Sequence, residues 1–525
     1  MSDDPQRAAV PRVRAGARRA DVRDRRVAVE RVAWLCVIAA ALSTRRAGAT
    51  DGEVTSDAVA QMYDVRSPTG EIVLERRRLD TTLGINAYDL THAVPGDATA
   101  PVVSLRARLR YGADFGLGYA TFDPSQTDDF VPGRQAGAVD VMFAYLEGRR
   151  LLGGPLGFRL GRQYITDVLG WWSFDGLELD ATAPILLRVQ VYGGLEQRGG
   201  LALGTSRFES DGVWRGSRDG LPIGLYSSFQ SASPAPAIGV AVESAGLPWL
   251  HGRLTARHVY NTGASDVAAF GAGPSMVTTV DGMRTSSDRV GGSLNATWTN
   301  VGAAQGGFVY DVYLGQVTHV YGALEGRPHP RLNVGVDYDY YVPSFDADSI
   351  WNFFAAEPRN DVGIRADATP NEHLSLAGSA QLRVLSVPAL QPGLGDAYER
   401  AGAAPTNGHP FDEQVSASVR WRGGATSAGL RSAGDFGAEG DRVGGDVDAE
   451  RVFESRYIVR GRLGLWHWDD RLRPTRSAAS LGCVAGLGYK FAPRSQGMVE
   501  WEQDMNRLVG QRFRLVLSVT VTTGP

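Results

Sequence analysis

The segment RFRLVLSVTVTTGP at residues 512–525 alternates between two kinds of side chain with a period of two. One set is as apolar as a protein core and consists of Phe513, Leu515, Leu517, Val519 and Val521. The other set is mostly polar and consists of Arg512, Arg514, Val516, Ser518 and Thr520. A period of two is that of a β-strand, whose successive side chains point to opposite faces. The pattern therefore predicts a strand with one face in an apolar medium and the other in water.

The same alternation recurs along the chain in segments of about ten residues. Clear examples are VVSLRARLRY (102–111), LLRVQVYGGLEQR (186–198) and LNVGVDYDYY (332–341). Beyond residue 49 the sequence has no apolar run long enough for a transmembrane helix. The mean hydropathy is only -0.18. Strands that alternate lipid-facing and water-facing residues give such a value, because the two sets cancel in the average.

Short connections between these segments alternate with long ones. The short connections are LLGGP (151–155), TAPI (182–185), GLPWL (246–250), NVGAA (300–304), GRPHP (326–330), TPNEH (369–373), RGGAT (422–426), ES (454–455) and APRSQ (492–496). The long connections cover residues 199–235, 262–287, 343–360, 387–411 and 469–478. An antiparallel meander with all its tight turns at one end produces this layout. We therefore predict an all-β fold, a single transmembrane up-and-down antiparallel β-barrel of about 20–22 strands over residues 70–525, with short periplasmic turns and long outer loops.

A large soluble sandwich or propeller is the alternative fold. A propeller carries a blade repeat of about 40–50 residues, and the sequence has no such repeat. Sandwiches usually stay well below this chain length as single domains. Both observations favour the membrane barrel.

The first 49 residues have the features of a secretory signal peptide. An arginine-rich region leads into the apolar run VAWLCVIAAALS at residues 32–43, and a small-residue site follows at Ala47–Ala49. We predict a signal peptide over 1–49 and a short periplasmic leader over 50–69, which is too short for the plug domain of an energy-coupled transporter. Residues 1–49 contain 11 arginines and 5 acidic residues, so the remainder is more acidic than the whole chain, whose net charge is -4. That balance argues against nucleic acid as a partner.

The strand-and-turn pattern resembles that of bacterial outer-membrane porins. FRLGRQ (158–163), followed by WWSFDGLEL (171–179), is similar to a strand, loop and strand of porin-like and alginate-export-type barrels. The ending TVTTGP departs from the aromatic C-terminus usual in outer-membrane barrels. The resemblance implies a location in the outer membrane of a Gram-negative bacterium. The partners that it implies are outer-membrane lipids, the barrel-assembly machinery and small ions or solutes.

In a barrel, the polar face of each strand lines the lumen, and its charges form rows. The candidate rows are Arg106, Arg108, Arg110, Arg188, Arg198, Arg420, Arg422, Arg460, Arg462, Arg512, Arg514, Asp337, Asp339, Asp446, Asp448, Glu500, Glu502 and Asp504. Within the hairpin 496–521 the acidic row lies one strand from Arg512 and Arg514, which places cross-strand ion pairs within reach. Either these rows tune the passage of ions and solutes, or they only join the strands of the wall. Reversal of Arg106, Arg108 and Arg110 to Glu without a change in ion selectivity would argue for the second interpretation.

Two loops carry further candidate residues. Loop 340–358 contains Asp346, Asp348 and Trp351, and three interpretations stay open: packing on the rim by its own aromatic residues, a constriction or ligand contact, or a calcium site. Loop 199–235 contains Arg215 and Arg218, and it either folds into the lumen or covers the outer mouth.

Aromatic residues also mark a predicted strand end. Trp171 and Trp172 lie where the aromatic girdles of barrels are found, so we expect them to anchor the barrel at the membrane interface.

Catalysis has little support in the sequence. The 8 histidines show no paired metal spacing, and neither G-x-S-x-G nor H-E-x-x-H occurs. With only Cys36 and Cys483, no disulfide framework or cysteine metal site can form, and we expect no cofactor. The predicted function is a porin-like channel for passive passage of ions or small polar solutes through a charge-lined lumen. The alternative is a non-conducting barrel that acts through its long loops as a surface binding or structural module.

Overall fold

The computed structural model describes residues 51–91, 93, 97, 99–114, 138–183, 186–197, 235–262, 265–268, 277–280, 282–343, 358–385, 411–437, 440–470, 475, 477–507 and 510–523. The predicted signal peptide and the loop candidates Arg215, Arg218, Asp346, Asp348 and Trp351 lie outside these residues. None of the described residues belongs to a helix long and apolar enough to cross a membrane.

The described residues form 24 strands. The first twelve are β1 (Asp51–Arg66), β2 (Ile72–Tyr88), β3 (Val102–Asp114), β4 (Ala138–Leu151), β5 (Leu156–Asp167), β6 (Gly170–Ala183), β7 (Leu187–Glu196), β8 (Pro236–Ser244), β9 (Leu250–Asn261), β10 (Ser265–Ala268), β11 (Val277–Val280) and β12 (Arg284–Trp298). The others are β13 (Gly302–Asp311), β14 (Gln316–His329), β15 (Leu332–Tyr341), β16 (Arg359–Asn371), β17 (Leu374–Leu385), β18 (Phe411–Gly423), β19 (Thr426–Gly437), β20 (Gly440–Phe453), β21 (Tyr457–Asp470), β22 (Ala478–Ala492), β23 (Ser495–Asn506) and β24 (Gly510–Thr523).

Twenty-two of these strands form one closed sheet. Each strand pairs antiparallel with its neighbour in the chain, β9 pairs with β12, and β24 pairs with β1, which closes the ring. The short strands β10 and β11 form a separate hairpin between β9 and β12. The predicted all-β, up-and-down antiparallel barrel is confirmed, at the upper end of the predicted range of strand number.

Strand β1 occupies most of the predicted leader over residues 50–69, so this part of the prediction is corrected. Its 16 residues pair with β2 on one side and with β24 on the other. The sequence signal for this strand is weak, because the outward positions of β1 hold mainly small side chains. These positions are Val54, Ser56, Ala58, Ala60, Met62 and Asp64.

The predicted short turns and the predicted long connections lie at opposite ends of the barrel. Short turns, such as those from β5 to β6 and from β13 to β14, also occur at the end that holds the long connections. All nine predicted short turns join strands at the end where β1 begins and β24 ends, which we call the turn end. The five predicted long connections join strands at the opposite end, the loop end. The 89–101 connection between β2 and β3 is a longer one at the turn end.

The outer face of the wall is apolar along the strands. Its side chains are large and exposed, with relative exposures of 60% for Leu254, 60% for Leu324, 59% for Leu465 and 66% for Leu487. The intervening positions point inward and are mostly polar. A continuous exposed apolar face on a closed sheet with no free edge is that of a barrel in lipid. The fold is therefore that of an outer-membrane-type β-barrel.

The pairing of β1 predicts that residues 51–66 contribute to the stability of the barrel, which a flexible leader would not do. Ala60 lies between Leu79 of β2 and Leu517 of β24 in the ladder. Ala60→Pro removes a backbone donor that the ladder requires, so we expect the free energy of unfolding to fall by about 1–3 kcal/mol. Urea unfolding of the barrel in detergent measures this loss, with Ala60→Ser as the control. Equal stability of the two variants would contradict the assignment of residues 51–66 to the wall.

Candidate functional site: the barrel lumen

The tip of the hairpin formed by β5 and β6 leaves the barrel wall. The pairing of β5 with β4 ends at Arg162, opposite Ala144, and the pairing of β6 with β7 ends at Phe174, opposite Glu196. Between these points, residues 163–173 pair with each other across the turn at Val168 and Leu169. At their base, the Gln197 backbone nitrogen donates to the Ser173 carbonyl oxygen at 3.0 Å. We call residues 163–173 the inner hairpin.

A row of glycines crosses the wall where the inner hairpin bends away. Gly161 of β5 pairs with Gly176 of β6, which pairs with Gly194 of β7. Gly161 has a φ of 127°, which side-chain-bearing residues rarely adopt. A Cβ on Gly176 would lie 2.1 Å from the carbonyl oxygen of Gly193. These three strands can therefore bend sharply and pack closely only because this row has no side chains.

The inner hairpin docks on a distant part of the wall. The Thr255 hydroxyl on β9 donates to Asp167 Oδ2 at 3.1 Å, and Arg257 Nη2 donates to the Leu169 carbonyl oxygen at 3.3 Å. A Cβ on Gly291 of β12 would lie 2.6 Å from the Val168 side chain. Strands β9 and β12 lie three and four strands around the wall from β6. Such contacts are possible only across the interior, so they show which face of the wall is the lumen.

An aromatic cluster fills the space between the inner hairpin and β7. The rings of Trp172 and Phe174 stack with centroids 4.4 Å apart, and Tyr192 lies 5.6 Å from Trp172. The Arg257 guanidinium lies 5.1 Å above the Trp172 ring, which is the geometry of a cation–π interaction. All four side chains are buried. This side of the lumen is therefore filled.

The expected anchoring role is wrong for Trp172. This residue is 6% exposed and its Nε1 donates to Glu196 Oε1 at 2.8 Å, whereas Trp171 is 41% exposed. The physical reason is strand parity: even positions of β6 point inward and odd positions such as Leu177 point outward. Two adjacent tryptophans on a strand cannot both face lipid.

Thr255 faces the lumen, and residues paired directly opposite each other on neighbouring strands share a face. The strand registers therefore show on which face each predicted charge lies. The structure places on the inner face Arg106, Arg108, Arg110, Arg188, Arg420, Arg422, Arg460, Arg462, Arg512, Arg514, Asp337, Asp339, Asp446, Asp448, Glu500, Glu502 and Asp504. Arg198 lies outside the described residues.

Beside the inner hairpin, the charges form a dense network. Glu147 is 6% exposed and lies 3.6 Å from Arg106, 2.9 Å from Arg149 and 3.4 Å from Arg159. Arg159 also reaches Glu178, which is fully buried, at 3.2 Å. Arg106, Glu147, Arg149 and Arg159 border a cavity of about 330 Å³. Charges taken so far from water are tolerated only because each carboxylate has a partner.

On the opposite wall the ion pairs are more open to solvent. Asp446 lies 2.7 Å from both Arg431 and Arg462, whose side chains are 53% and 50% exposed. Arg512 donates to Asp504 and Glu502, as the alternation within the hairpin 496–521 predicts. A cavity of about 440 Å³ is lined by Asp446, Arg462, Glu502, Asp504 and Arg512.

Several other residues of the predicted rows also have partners. Arg108 lies 2.7 Å from Asp57, Arg188 lies 3.0 Å from Glu243, and Arg420 lies 3.4 Å from Asp448. Further pairs are Arg460 with Glu500, Arg514 with Glu502, and His319 with Asp339. Among the described residues no group of His, Cys, Asp and Glu is arranged to hold a metal ion.

Sequence reasoning missed the inner hairpin and its contacts. Asp167, Thr255 and Arg257 lie in strands that were expected to stay in the wall. The available signal was the alignment of Gly161, Gly176 and their neighbours in successive strands, which alternation alone does not interpret.

Comparison with solved structures gives distant likenesses over most of the chain. OccAB4 of Acinetobacter baumannii is 8% identical, with 91% of this chain and 99% of that one covered and a TM-score of 0.39. OpdK of Pseudomonas aeruginosa, solved with vanillate, is 11% identical, with 90% and 99% covered and a TM-score of 0.38. OccAB2 of A. baumannii is 8% identical, with 90% and 98% covered and a TM-score of 0.40. A scan against family models and a search of curated proteins gave no match.

The shared carboxylate of Asp446 gives a prediction on ion preference. Asp446→Asn leaves Arg431 and Arg462 without their common counter-ion, so we expect the lumen to favour anions more than the wild-type protein does. The cost in stability should stay within about 1 kcal/mol, because both arginines are half-exposed. The reversal potential across a salt gradient measures the change. Asp469→Asn is the matched control, because Asp469 shares the outer face of Leu465. Equal shifts in both variants would contradict the prediction.

Proposed function

We propose that this protein is a passive channel of the outer membrane of a Gram-negative bacterium, through which ions or small polar solutes cross along a charge-lined lumen. The barrel wall supplies the passage, and the lipids around its apolar face are its permanent surroundings. Secretion by the signal peptide over 1–49 and insertion by the barrel-assembly machinery belong to the same proposal.

The observation that carries the proposal is the solvent exposure of charged side chains on the inner wall opposite the inner hairpin. Arg420, Arg431, Arg462 and Arg512 are 48%, 53%, 50% and 47% exposed although they point inward. In the order of the sheet, β19 lies half-way around the ring from β6. Packed side chains would bury these guanidinium groups, so their exposure supports a hydrated space beside the inner hairpin.

The pairing of the inner charges supports a passage of broad rather than strict selectivity. Each of these arginines has a carboxylate within 3.4 Å. Paired charges can form polar contacts with solutes of either sign. Their net electric field in the lumen is smaller than that of unpaired rows. The same pairs also join neighbouring strands, so the two interpretations of the charge rows are compatible on this wall.

A non-conducting surface module is the second candidate. The observation in its favour is the filled side of the lumen, where the inner hairpin, Trp172, Phe174 and Tyr192 occupy the space in front of β7 to β9. If the inner hairpin and the loops together close the lumen, the working part of the protein would be its loop end.

Solute entry into liposomes tests the channel proposal and locates the passage. Purified protein in liposomes should admit small sugars at rates that fall with solute size. Gly464 points into the lumen with no atom closer than 3.6 Å to a Cβ placed there, so Gly464→Trp should slow the larger solutes selectively. The matched control is Leu463→Trp, because Leu463 is 54% exposed on the outer face. Folded barrels that admit no solute would favour the surface module.

A further inference from the structure

The contact between Asp167 and β9 is buried inside the barrel. The Asp167 side chain is fully buried at the tip of the inner hairpin, and its Oδ2 lies 4.0 Å from Arg253 Nη2 of β9. Oδ1 accepts from the Leu169 backbone nitrogen at 2.9 Å, and Oδ2 accepts from the Thr255 hydroxyl at 3.1 Å. One carboxylate thus both shapes the turn and attaches the turn to β9.

We propose that Asp167 is a positioning residue that holds the inner hairpin docked on β9, and that this contact limits the size of solute that passes. The inference rests on the proposed channel function. The inner hairpin is the part of the described wall that crosses the lumen, so its docked position determines the free cross-section beside it. Asp167 contacts no solute in this account and acts through the position of residues 163–173.

The geometry of the bend makes the docked position depend on contacts at the tip. Between Arg162 and Phe174 neither β4 nor β7 continues the ladder, so backbone pairing to the wall does not hold the tip. The glycine row at Gly161, Gly176 and Gly194 adds no side-chain packing at the bend. The tip is therefore held by its contacts with Arg253, Thr255 and Arg257 and by the packing of Val168 and Leu169 on Gly291. Nearer the base of the hairpin, Trp172 adds its hydrogen bond to Glu196.

Two substitutions separate the effect of the hydrogen bonds of Asp167 from the effect of its charge. Asp167→Asn keeps both contacts, because its oxygen accepts from Leu169 and its amide donates to the Thr255 hydroxyl. Asp167→Ala removes both. Loss of both hydrogen bonds should shift the balance between docked and undocked hairpin by about tenfold. We therefore expect Asp167→Ala to raise single-channel conductance, its fluctuation and the solute size limit, and Asp167→Asn to behave as wild type. Asp175→Ala is the control, because Asp175 binds Arg162 at the base of the inner hairpin and, as an odd position of β6, faces outward.

Hydrogen exchange gives a readout that does not depend on conduction. Amides of residues 164–172 should exchange faster in Asp167→Ala than in wild type, Asp167→Asn or Asp175→Ala. Equal effects of Asp167→Ala and Asp167→Asn would assign the role to charge and overturn the proposal. Unchanged exchange in Asp167→Ala would overturn it as well. Faster exchange in a barrel that never conducts would refute the channel function while it retains the docking role of Asp167. Thr255→Val, which removes only the donor on β9, should reproduce the exchange result if Asp167→Ala folds poorly.

Discussion

The structure depends on one constraint: in lipid, every backbone N–H and C=O group must be hydrogen-bonded within the protein. A sheet meets this constraint only when its first and last strands pair, and here β1 and β24 do so over residues 54–66 and 511–523. Closure determines the rest of the layout. The outward positions must be apolar, the inward positions are free to carry charge, and chain reversals are confined to the two ends of the barrel.

The lumen has two unlike sides because the inner hairpin crosses it. On one side, buried pairs such as Arg159 and Glu178 and the cluster around Trp172 fill the interior as a protein core does. On the other side, the guanidinium groups of Arg431 and Arg462 stay half-exposed around Asp446. The same charge pattern along the sequence thus gives a packed wall in one half and a solvated wall in the other. The packed half of the wall is the half on which the inner hairpin is docked.

Most of the barrel could be predicted from the sequence, because lipid imposes a period of two on each strand and short turns punctuate the strands. Strand β1 was not predictable in this way, since Ala58, Ala60 and their neighbours give a weak apolar face. The inward bend was not predictable either. Alternation tells which side of a strand a residue occupies, so strand parity alone places Trp172 opposite Trp171. Alternation does not tell whether a strand stays in the wall. The role of Asp167 depends on long-range contacts with β9 that no local pattern contains.

The central claim is that a hydrated passage remains beside the inner hairpin. Single-channel recording of the purified protein in a planar bilayer tests this claim most directly, because conduction requires a continuous path of water through the barrel. The account predicts stable conductance steps with a small reversal potential in a salt gradient, since the inner charges are paired. A protein that inserts as a folded barrel and stays electrically silent would contradict it.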